Sequence, residues 1–339
     1  MLQKLSRSAG VAKKVYEYYR YVVPYTFKNV KGRQLQKAKN ISIFSTPRAG
    51  STWLSHLFCA MENTLLISEP LYLDPQYPEI KKVNFPWNPY IPEQGEWPEA
   101  KEYFRQLLNH EIGASGSYKA IRLYFHNDNL KNIAHARYFI IKCVNSTALI
   151  PWLTKNFTGV NPIFLIRHPC AVVASQMQYQ HWDSVNQDVA LPILACKFDD
   201  LYKLYKDIIG KIRKPEERLA VEWAMHNCVA SKHADNNKRW ITTPYEKLYT
   251  QPSEEIDRIF SRLDIERTPA IDAIIRKPSI SSKEHSHNTI KTGKQLEAWR
   301  NFLSQAQIRN ILAMTKEFGM DFYDESPEPD YPRIYNESR

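Results

Sequence analysis

The amino-acid sequence predicts an α/β fold: a three-layer sandwich in which helices flank a central parallel sheet. Three short apolar runs, at residues 41–45, 138–144 and 162–167, have the composition of strands buried on both faces, as in parallel sheets. Each run is followed by apolar residues at helical spacing. Strands that alternate with helices in this way favour one doubly wound sheet in a single large domain.

In chain order, strand 41–45 is joined by a turn of small residues to a helix that follows Gly50. A second short strand, 65–68, ends at Glu69-Pro70. Residues 74–130 are predicted to be a substrate-facing insertion. In its first part prolines alternate with aromatic residues, which makes a poor helix or strand.

The rest of the chain continues the same alternation. After strands 138–144 and 162–167, a helix is predicted at 216–235, a strand at 239–244 and a last helix near 295–318. The end of the chain is rich in proline and acidic residues, so it is expected to be extended. The predicted organisation is a basic amphipathic N-terminal arm at 1–36, a single domain at 37–325 and an extended C-terminal tail at 326–339.

The net charge of +10 is concentrated at the start of the chain. Residues 1–40 contain seven Lys and three Arg against one Glu, a balance of +9, so the other 299 residues carry only +1. A nearly neutral body argues against a nucleic-acid partner. The charges of the arm are interleaved with aromatic and aliphatic residues. That pattern fits either a solvated basic helix or a segment that lies on an anionic membrane surface.

The five cysteines are scattered and include no C-x-x-C pair, so neither a disulfide framework nor a zinc site is expected. No apolar stretch approaches the roughly 18 residues of a membrane-spanning helix. The first ten residues lack the apolar core of a signal peptide. These features predict a cytoplasmic protein, with the arm as its potential peripheral contact to a membrane.

The loop between the first strand and its helix reads Thr46-Pro47-Arg48-Ala49-Gly50-Ser51-Thr52-Trp53. Small residues at this point expose backbone N–H groups at a helix N-terminus, where the helix dipole favours a bound phosphate. Arg48 adds a positive charge, and Ser51 and Thr52 add hydroxyl donors. The loop is not a Walker A sequence, because that motif requires a Lys after its second glycine.

This loop resembles the 5′-phosphosulfate loop of the sulfotransferase family, whose donor is 3′-phosphoadenosine 5′-phosphosulfate (PAPS). The segment from Phe164 to Ser175 resembles the 3′-phosphate motif of that family, with Arg167 at a strand end and Ser175 eight residues later. Arginine makes bidentate charged contacts to phosphate. Loops at the carboxyl ends of neighbouring parallel strands open into one crevice. The resemblance implies a P-loop-like form of the sandwich, PAPS as the sulfuryl donor and no required metal.

Two weaker matches extend the resemblance. Residues 244–248 resemble the Y-E-x-L segment of the family, and Lys291-Thr292-Gly293 resembles part of a late loop that closes over the 3′-phosphate. Trp53 either faces the adenine or packs in the core, and the same alternatives hold for Tyr245. The residues assigned by resemblance to PAPS binding are Arg48, Ala49, Gly50, Ser51, Thr52, Trp53, Arg167, Ser175, Tyr245 and Lys291.

Sulfuryl transfer requires a cation near the leaving oxygen and a base for the acceptor hydroxyl. Arg48 occupies the position of the family's loop cation, and Lys142 at a strand end is a second candidate. Phenol- and steroid-type members carry a His two residues after that Lys, where this chain has Val144. Members of the carbohydrate branch tend to place a Glu at the end of the second strand, so Glu69 is the predicted base, with His181 as the alternative.

Glu69 has a second interpretation as a capping or ion-pairing carboxylate at a strand end. His56 and His168 are expected to be packed or solvent-bridging side chains rather than bases. The resemblance thus implies a PAPS-dependent O-sulfotransferase, closer to the carbohydrate branch, with a carbohydrate or glycolipid hydroxyl as acceptor. The remaining alternatives are a nucleotide kinase or other P-loop phosphotransferase and a non-catalytic nucleotide-binding module.

Overall fold

The computed structural model describes residues 38–72, 78–111, 136–178, 191, 197–275 and 295–337. Five parallel strands form one sheet in the order β2-β3-β1-β4-β5, which confirms the predicted parallel α/β architecture. The strands are β1 Lys39–Ser45, β2 Thr64–Ser68, β3 Tyr138–Val144, β4 Pro162–Ile166 and β5 Ile241–Pro244.

Helices connect these strands and complete the two outer layers. The helices of the described residues are α1 Ser51–Cys59, α2 Pro78–Val83, α3 Pro98–Leu108, α4 Ile150–Asn156, α5 Pro169–Met177, α6 Asp200–Leu204, α7 Lys206–Ile209, α8 Pro215–Ser231, α9 Tyr245–Thr250, α10 Pro252–Arg262, α11 Pro269–Ile275, α12 Gln305–Glu317 and α13 Tyr331–Tyr335. Short 3₁₀ turns lie at Pro70–Tyr72, Thr147–Leu149 and Ala298–Asn301. Within these residues no helix is both long and apolar enough to cross a bilayer.

Alternate residues of each strand point to opposite faces of the sheet, and each face has its own apolar core. Ile43 of β1 packs in the cluster that contains Leu57 of α1 and Phe260 of α10. Its neighbour Phe44 packs in the other cluster, which contains residues of α3, α4, α5, α8 and α12. Burial of one such side chain contributes about 1.5–3 kcal/mol to the stability of the fold. The helices that pack on both faces therefore stabilise the sheet from both sides.

The structure differs from the sequence expectation inside the insertion, where α3 is a regular 11-residue helix. A proline occupies its first turn, where no backbone N–H is needed. Its buried residues, Ala100, Tyr103, Phe104 and Leu107, have the spacing of one helical face. The prolines around α3 obscured this pattern. Residues 112–130 of the insertion lie outside the described residues.

Two further expectations, one for the last helix and one for the tail, are wrong near the C-terminus. The single helix predicted near 295–318 is divided at Ser304, which forms a capping box with Gln307 and starts α12. The tail predicted to be extended contains α13, in which Asp330 accepts a hydrogen bond from the backbone N of Arg333 at 3.3 Å. Ile334 of α13 is buried in the core, and this packing orders the tail.

Candidate active site

The two predicted phosphate motifs meet at the carboxyl ends of β1 and β4, which are neighbours in the sheet. Arg48 Nε donates a hydrogen bond to Ser175 Oγ at 2.9 Å. Arg167 Nη1 donates to the backbone oxygen of Arg48 at 3.0 Å. Two segments that are more than a hundred residues apart in sequence are therefore in direct contact, on the side of the sheet where doubly wound proteins bind ligands.

The backbone of the first loop is shaped to present N–H groups at the head of α1. Arg48 and Gly50 have positive φ values of 70° and 102°, and Gly50 is the N-cap of α1. The first turn of α1 contains no acidic residue, so the positive end of its dipole is not neutralised. Ala49 and Ser51 are buried and Thr52 is exposed. This arrangement favours an anion at the loop.

Buried polar atoms around the crevice have unused hydrogen-bonding capacity. In the described part of the chain, Ser45 Oγ, Thr46 Oγ1 and Arg167 Nε are buried and have no hydrogen-bond partner. A buried polar group without a partner costs free energy, so such groups call for a ligand or an ordered water. The unpaired Nε of Arg167 fits a site for an anionic oxygen.

Tyr245 lies between the two phosphate motifs. Its ring faces the guanidinium of Arg167, with Arg167 Cζ 4.3 Å from the ring centroid. The same ring lies against Gly50, where an added Cβ would be 2.6 Å from Tyr245 Cδ2. Trp53 is half-buried and packs against the same core cluster as Tyr245. Tyr245 thus contacts both the loop and Arg167.

The substitution Gly50→Ala tests the close packing of Tyr245 on the loop. The new Cβ would meet the Tyr245 ring, and the residue would adopt a left-handed conformation. We expect a loss of about 2 to 4 kcal/mol in the free energy of unfolding, from overpacking and backbone strain together. Denaturant titration measures it.

Gly159→Ala is the matched control, because Gly159 has φ of +77° and no atom within 4 Å of an added Cβ. It should cost about 1 kcal/mol, from strain alone. Equal losses in the two variants would contradict the close packing of Tyr245 on Gly50.

The predicted catalytic carboxylate is ion-paired at the ends of β2 and β3. Glu69 Oε1 lies 2.8 Å from Lys142 Nζ, and Glu69 Oε2 accepts a hydrogen bond from the backbone N of Val144 at 2.9 Å. The Glu69 side chain is 27% exposed and that of Lys142 is 13% exposed. The carboxylate therefore caps the backbone at the end of β3 and is still partly exposed to solvent.

Each of three adjacent strands is followed, within three residues of its end, by a residue with a left-handed backbone. The φ values are 70° at Arg48, 54° at Glu69 and 54° at Asn145. These residues follow β1, β2 and β3, which lie side by side in the sheet. Non-glycine residues in this region of φ are strained and tend to cluster at functional sites. Asn145 carried no sequence signal of its own.

His168 has no nitrogen available to act as a base. Its Nδ1 accepts a hydrogen bond from the backbone N of Cys170 at 3.1 Å, so the proton is on Nε2, which donates to the backbone oxygen of Asp324 at 2.9 Å. The ring is buried, and burial lowers the pKa of His168 to about 4. His168 is a packed, neutral side chain, as the sequence indicated. His181 and Lys291 lie outside the described residues.

Two groups of residues beside the site were not assigned to it from the sequence. Glu246 is buried and accepts a hydrogen bond from the backbone N of His168 at 2.8 Å. Glu246 is the Glu of the Y-E-x-L match at residues 244–248, and this match was the available signal. The Tyr72 and Trp87 rings are in contact, with centroids 4.9 Å apart, and Tyr72 Oη lies 3.5 Å from the backbone oxygen of Asn145. That contact brings the predicted insertion to the end of β3.

Comparison with solved structures finds sulfotransferases. The sulfotransferase domain from the Synechococcus PCC 7002 olefin synthase is 17% identical, with 86% of this chain and 99% of that chain covered and a TM-score of 0.45. Mouse sulfotransferase SULT7A1, complexed with PAP, is 14% identical over 89% of each chain, with a TM-score of 0.40. The sulfotransferase domain from the curacin biosynthetic pathway is 16% identical over 88% and 96%, with a TM-score of 0.40.

A search of curated protein sequences finds no significant match. The family model described as "Sulfotransferase family" matches residues 40–269. That range includes both phosphate motifs and the five strands except for Lys39, the first residue of β1. Since the match spans more than half of the 339 residues, the chain belongs to the sulfotransferase family.

Proposed function

We propose that this chain is a PAPS-dependent O-sulfotransferase that transfers a sulfuryl group to a hydroxyl of a carbohydrate or glycolipid. The observation that carries the proposal is the contact of Arg48 with Ser175 and of Arg167 with the Arg48 backbone. It joins the anion-binding loop after β1 to a second cationic site after β4. A ligand with phosphates at two positions suits such a pair of sites.

The residues around the crevice fit a 3′-phosphorylated nucleotide. Arg167 has a buried Nε without a partner in the described structure, and the Ser175 hydroxyl lies beside the same loop. The head of α1 offers backbone N–H groups and the positive end of a helix dipole. In this proposal the residues that hold the 5′-phosphosulfate are Arg48, Ala49, Gly50, Ser51 and Thr52, those that hold the 3′-phosphate are Arg167, Ser175 and Lys291, and those beside the base are Trp53 and Tyr245.

The chemistry is an in-line displacement at sulfur. Bound PAPS supplies the sulfuryl group: its bond to the phosphate oxygen breaks as a bond to the acceptor oxygen forms. The acceptor hydroxyl gives its proton to the Glu69 carboxylate. Arg48 provides a fixed positive charge where negative charge accumulates, and Lys142 provides a second one. The protein contributes mainly positioning and charge stabilisation.

The aromatic side of the insertion supports a sugar as the acceptor. Trp87 is 41% exposed, which is unusual for so large an apolar ring, and it packs on Tyr72. The Tyr72 hydroxyl accepts a hydrogen bond from the backbone N of Asn88 at 3.4 Å. These contacts hold a flat apolar face near the end of β3, and such a face is suited to the C–H groups of a pyranose ring.

Trp87→Ala tests this assignment of the acceptor site. We expect the KM for the acceptor to rise about fivefold to tenfold, because an aromatic contact contributes roughly one kcal/mol, while the KM for PAPS stays unchanged. Phe302→Ala is the control, since Phe302 is 60% exposed and lies outside the insertion. An unchanged acceptor KM in Trp87→Ala would exclude Trp87 from acceptor binding.

The proposed activity is tested with PAPS that carries radiolabelled sulfate and a panel of polysaccharides, glycolipids and phenols. Label on a carbohydrate or glycolipid supports the proposal. Label on phenols alone overturns the proposed acceptor. Binding of the desulfonated nucleotide without transfer to any acceptor of the panel favours the non-catalytic module. ATP-dependent phosphorylation that EDTA abolishes would favour a kinase.

The basic arm is a separate part of the proposal. Five Lys and three Arg in residues 1–36, interleaved with aromatic residues, suit a peripheral contact of a cytoplasmic enzyme with an anionic membrane surface. We expect the full chain to float with phosphatidylserine-containing liposomes and to remain in solution with neutral phosphatidylcholine liposomes. Removal of residues 1–36 should abolish flotation. Unchanged flotation of the shortened chain would exclude the arm as the membrane contact.

A further inference from the structure

The contacts between β4 and β5 continue beyond the ends of the two strands. Ile166 and Pro244 are the last register partners. The next residues form a cation–π contact, with Arg167 Cζ 4.3 Å from the Tyr245 ring centroid. The residues after those are joined by a hydrogen bond, in which the backbone N of His168 donates to Glu246 Oε1 at 2.8 Å. The peptide that follows Arg167 is thus held by a buried carboxylate.

Glu246 is in turn held by the C-terminal part of the chain. Tyr323 Oη donates a hydrogen bond to Glu246 Oε2 at 3.0 Å. Both carboxylate oxygens therefore accept a hydrogen bond from a buried donor. Burial raises the pKa of Glu246 to about 7, while the backbone N–H of His168, the Arg167 guanidinium and the Tyr323 hydroxyl favour its ionised form. If this buried carboxylate moved, its oxygens would lose both hydrogen bonds, which costs free energy. Glu246 therefore fixes the position of the backbone N of His168.

The C-terminal segment, residues 295–337, also encloses His168. The indole of Trp299 stacks on the imidazole with ring centroids 5.0 Å apart and an interplanar angle of 14°. The ring of Tyr323 approaches it edge-on at 5.0 Å. His168 Nε2 donates to the backbone oxygen of Asp324 at 2.9 Å. Trp299, Tyr323 and Asp324 all lie beyond residue 269, where the family match ends.

We propose that Glu246 is a positioning residue for the 3′-phosphate site: together with His168 and Tyr323 it fixes the backbone at Arg167, so that selectivity for a 3′-phosphorylated nucleotide depends on the C-terminal segment. The proposal rests on the proposed function, because it takes Arg167 as the ligand of the 3′-phosphate. Without Glu246, the peptide between Arg167 and α5 loses its buried anchor. Arg167 then has several orientations, of which one binds the phosphate.

The experiment measures two dissociation constants by calorimetry, one for adenosine 3′,5′-bisphosphate and one for adenosine 5′-monophosphate. Their ratio reports the contribution of the 3′-phosphate alone, and a general loss of stability does not change it. In Glu246→Ala we expect the Kd of the bisphosphate to rise about 10- to 100-fold, as for loss of a hydrogen bond to a charged group, with the Kd of the monophosphate within about threefold. An unchanged ratio overturns the proposal.

Two further variants separate positioning from charge and from stability. Glu246→Gln keeps an acceptor for the His168 N–H, so the ratio should stay within about threefold of the original. A loss as large as in Glu246→Ala would overturn positioning through this hydrogen bond. The matched control is Glu255→Ala, because Glu255 is also fully buried and its Oε1 lies 3.5 Å from the hydroxyl of a C-terminal tyrosine, Tyr335. It should lower stability without a change in the ratio, and an equal change there would also overturn the proposal.

If Glu246→Ala does not fold, Tyr323→Phe carries the test, since it removes only the hydroxyl that binds Glu246 Oε2. A Kd for the bisphosphate that rises about three- to tenfold relative to the Kd for the monophosphate supports the proposal, and an unchanged ratio of the two overturns it. Failure of the proposed function gives a different result. In that case the original chain binds the bisphosphate and the monophosphate with similar Kd values. Substitution of Glu246 then has no preference to reduce.

Discussion

Replacement of Arg48 with alanine is expected to lower kcat for sulfuryl transfer by about 10³-fold, the usual effect of removing a preorganised charge from the transition state of a group transfer. Arg48 Nε is bonded to Ser175 Oγ at 2.9 Å, so the guanidinium lies between the two phosphate motifs. Arg48 has φ of 70°, and alanine carries the same Cβ as arginine. The backbone strain is therefore nearly the same in both chains, and the loss of kcat reports the lost cation.

Two variants control this experiment. Arg48→Lys keeps the charge but loses the planar fork, so kcat should stay within about tenfold of the original. Arg105→Ala should leave kcat unchanged. Arg105 is paired with Glu102 and Glu111, and its helix ends beside Asn40, at the opposite end of β1 from the crevice. If Arg48→Ala raised the KM for PAPS without a change in kcat, Arg48 would be a binding residue and not a catalytic one.

The sheet could be predicted from the sequence because strands buried on both faces leave a simple pattern. Phe164, Leu165 and Ile166 form a continuous apolar run, and the structure divides them between the two faces. The contact between Arg48 and Ser175 could also be anticipated. Loops at the carboxyl ends of neighbouring parallel strands converge whatever their separation in sequence. Local patterns and one topological rule thus account for the donor side of the candidate site.

Other parts of the site depend on tertiary contacts that leave no local pattern. The hydrogen bond from Tyr323 to Glu246 joins residues 77 positions apart, and no spacing rule connects them. The ion pair of Glu69 with Lys142 follows from the register of β2 against β3, in which Ser68 lies opposite Lys142. Neighbouring strands could be predicted, but their register could not. For this reason a carboxylate chosen as a base from the sequence is found ion-paired in the structure.

That ion pair makes Glu69→Gln the most informative single substitution. If Glu69 is the base, kcat should fall by about 10²- to 10⁴-fold, because an amide does not accept the acceptor's proton. Glutamine has the size of glutamate, and its carbonyl oxygen can still accept the hydrogen bond from the backbone N of Val144 that Glu69 Oε2 now accepts. The measurement is kcat and kcat/KM for sulfuryl transfer in the variant and in the original chain.

The alternative role of Glu69, as a partner of Lys142, gives the opposite result. Loss of a partly exposed ion pair costs about 1 kcal/mol of stability, with turnover close to the original. Lys142→Met separates the two roles further. If Glu69 serves only as the partner of Lys142, Glu69→Gln alone should keep a kcat close to the original, and Glu69→Gln combined with Lys142→Met should regain stability, because no lysine is left there without a partner. If Glu69 is the base, the combined variant stays inactive however stable it is. Near-normal turnover in Glu69→Gln would exclude Glu69 and direct the search to His181.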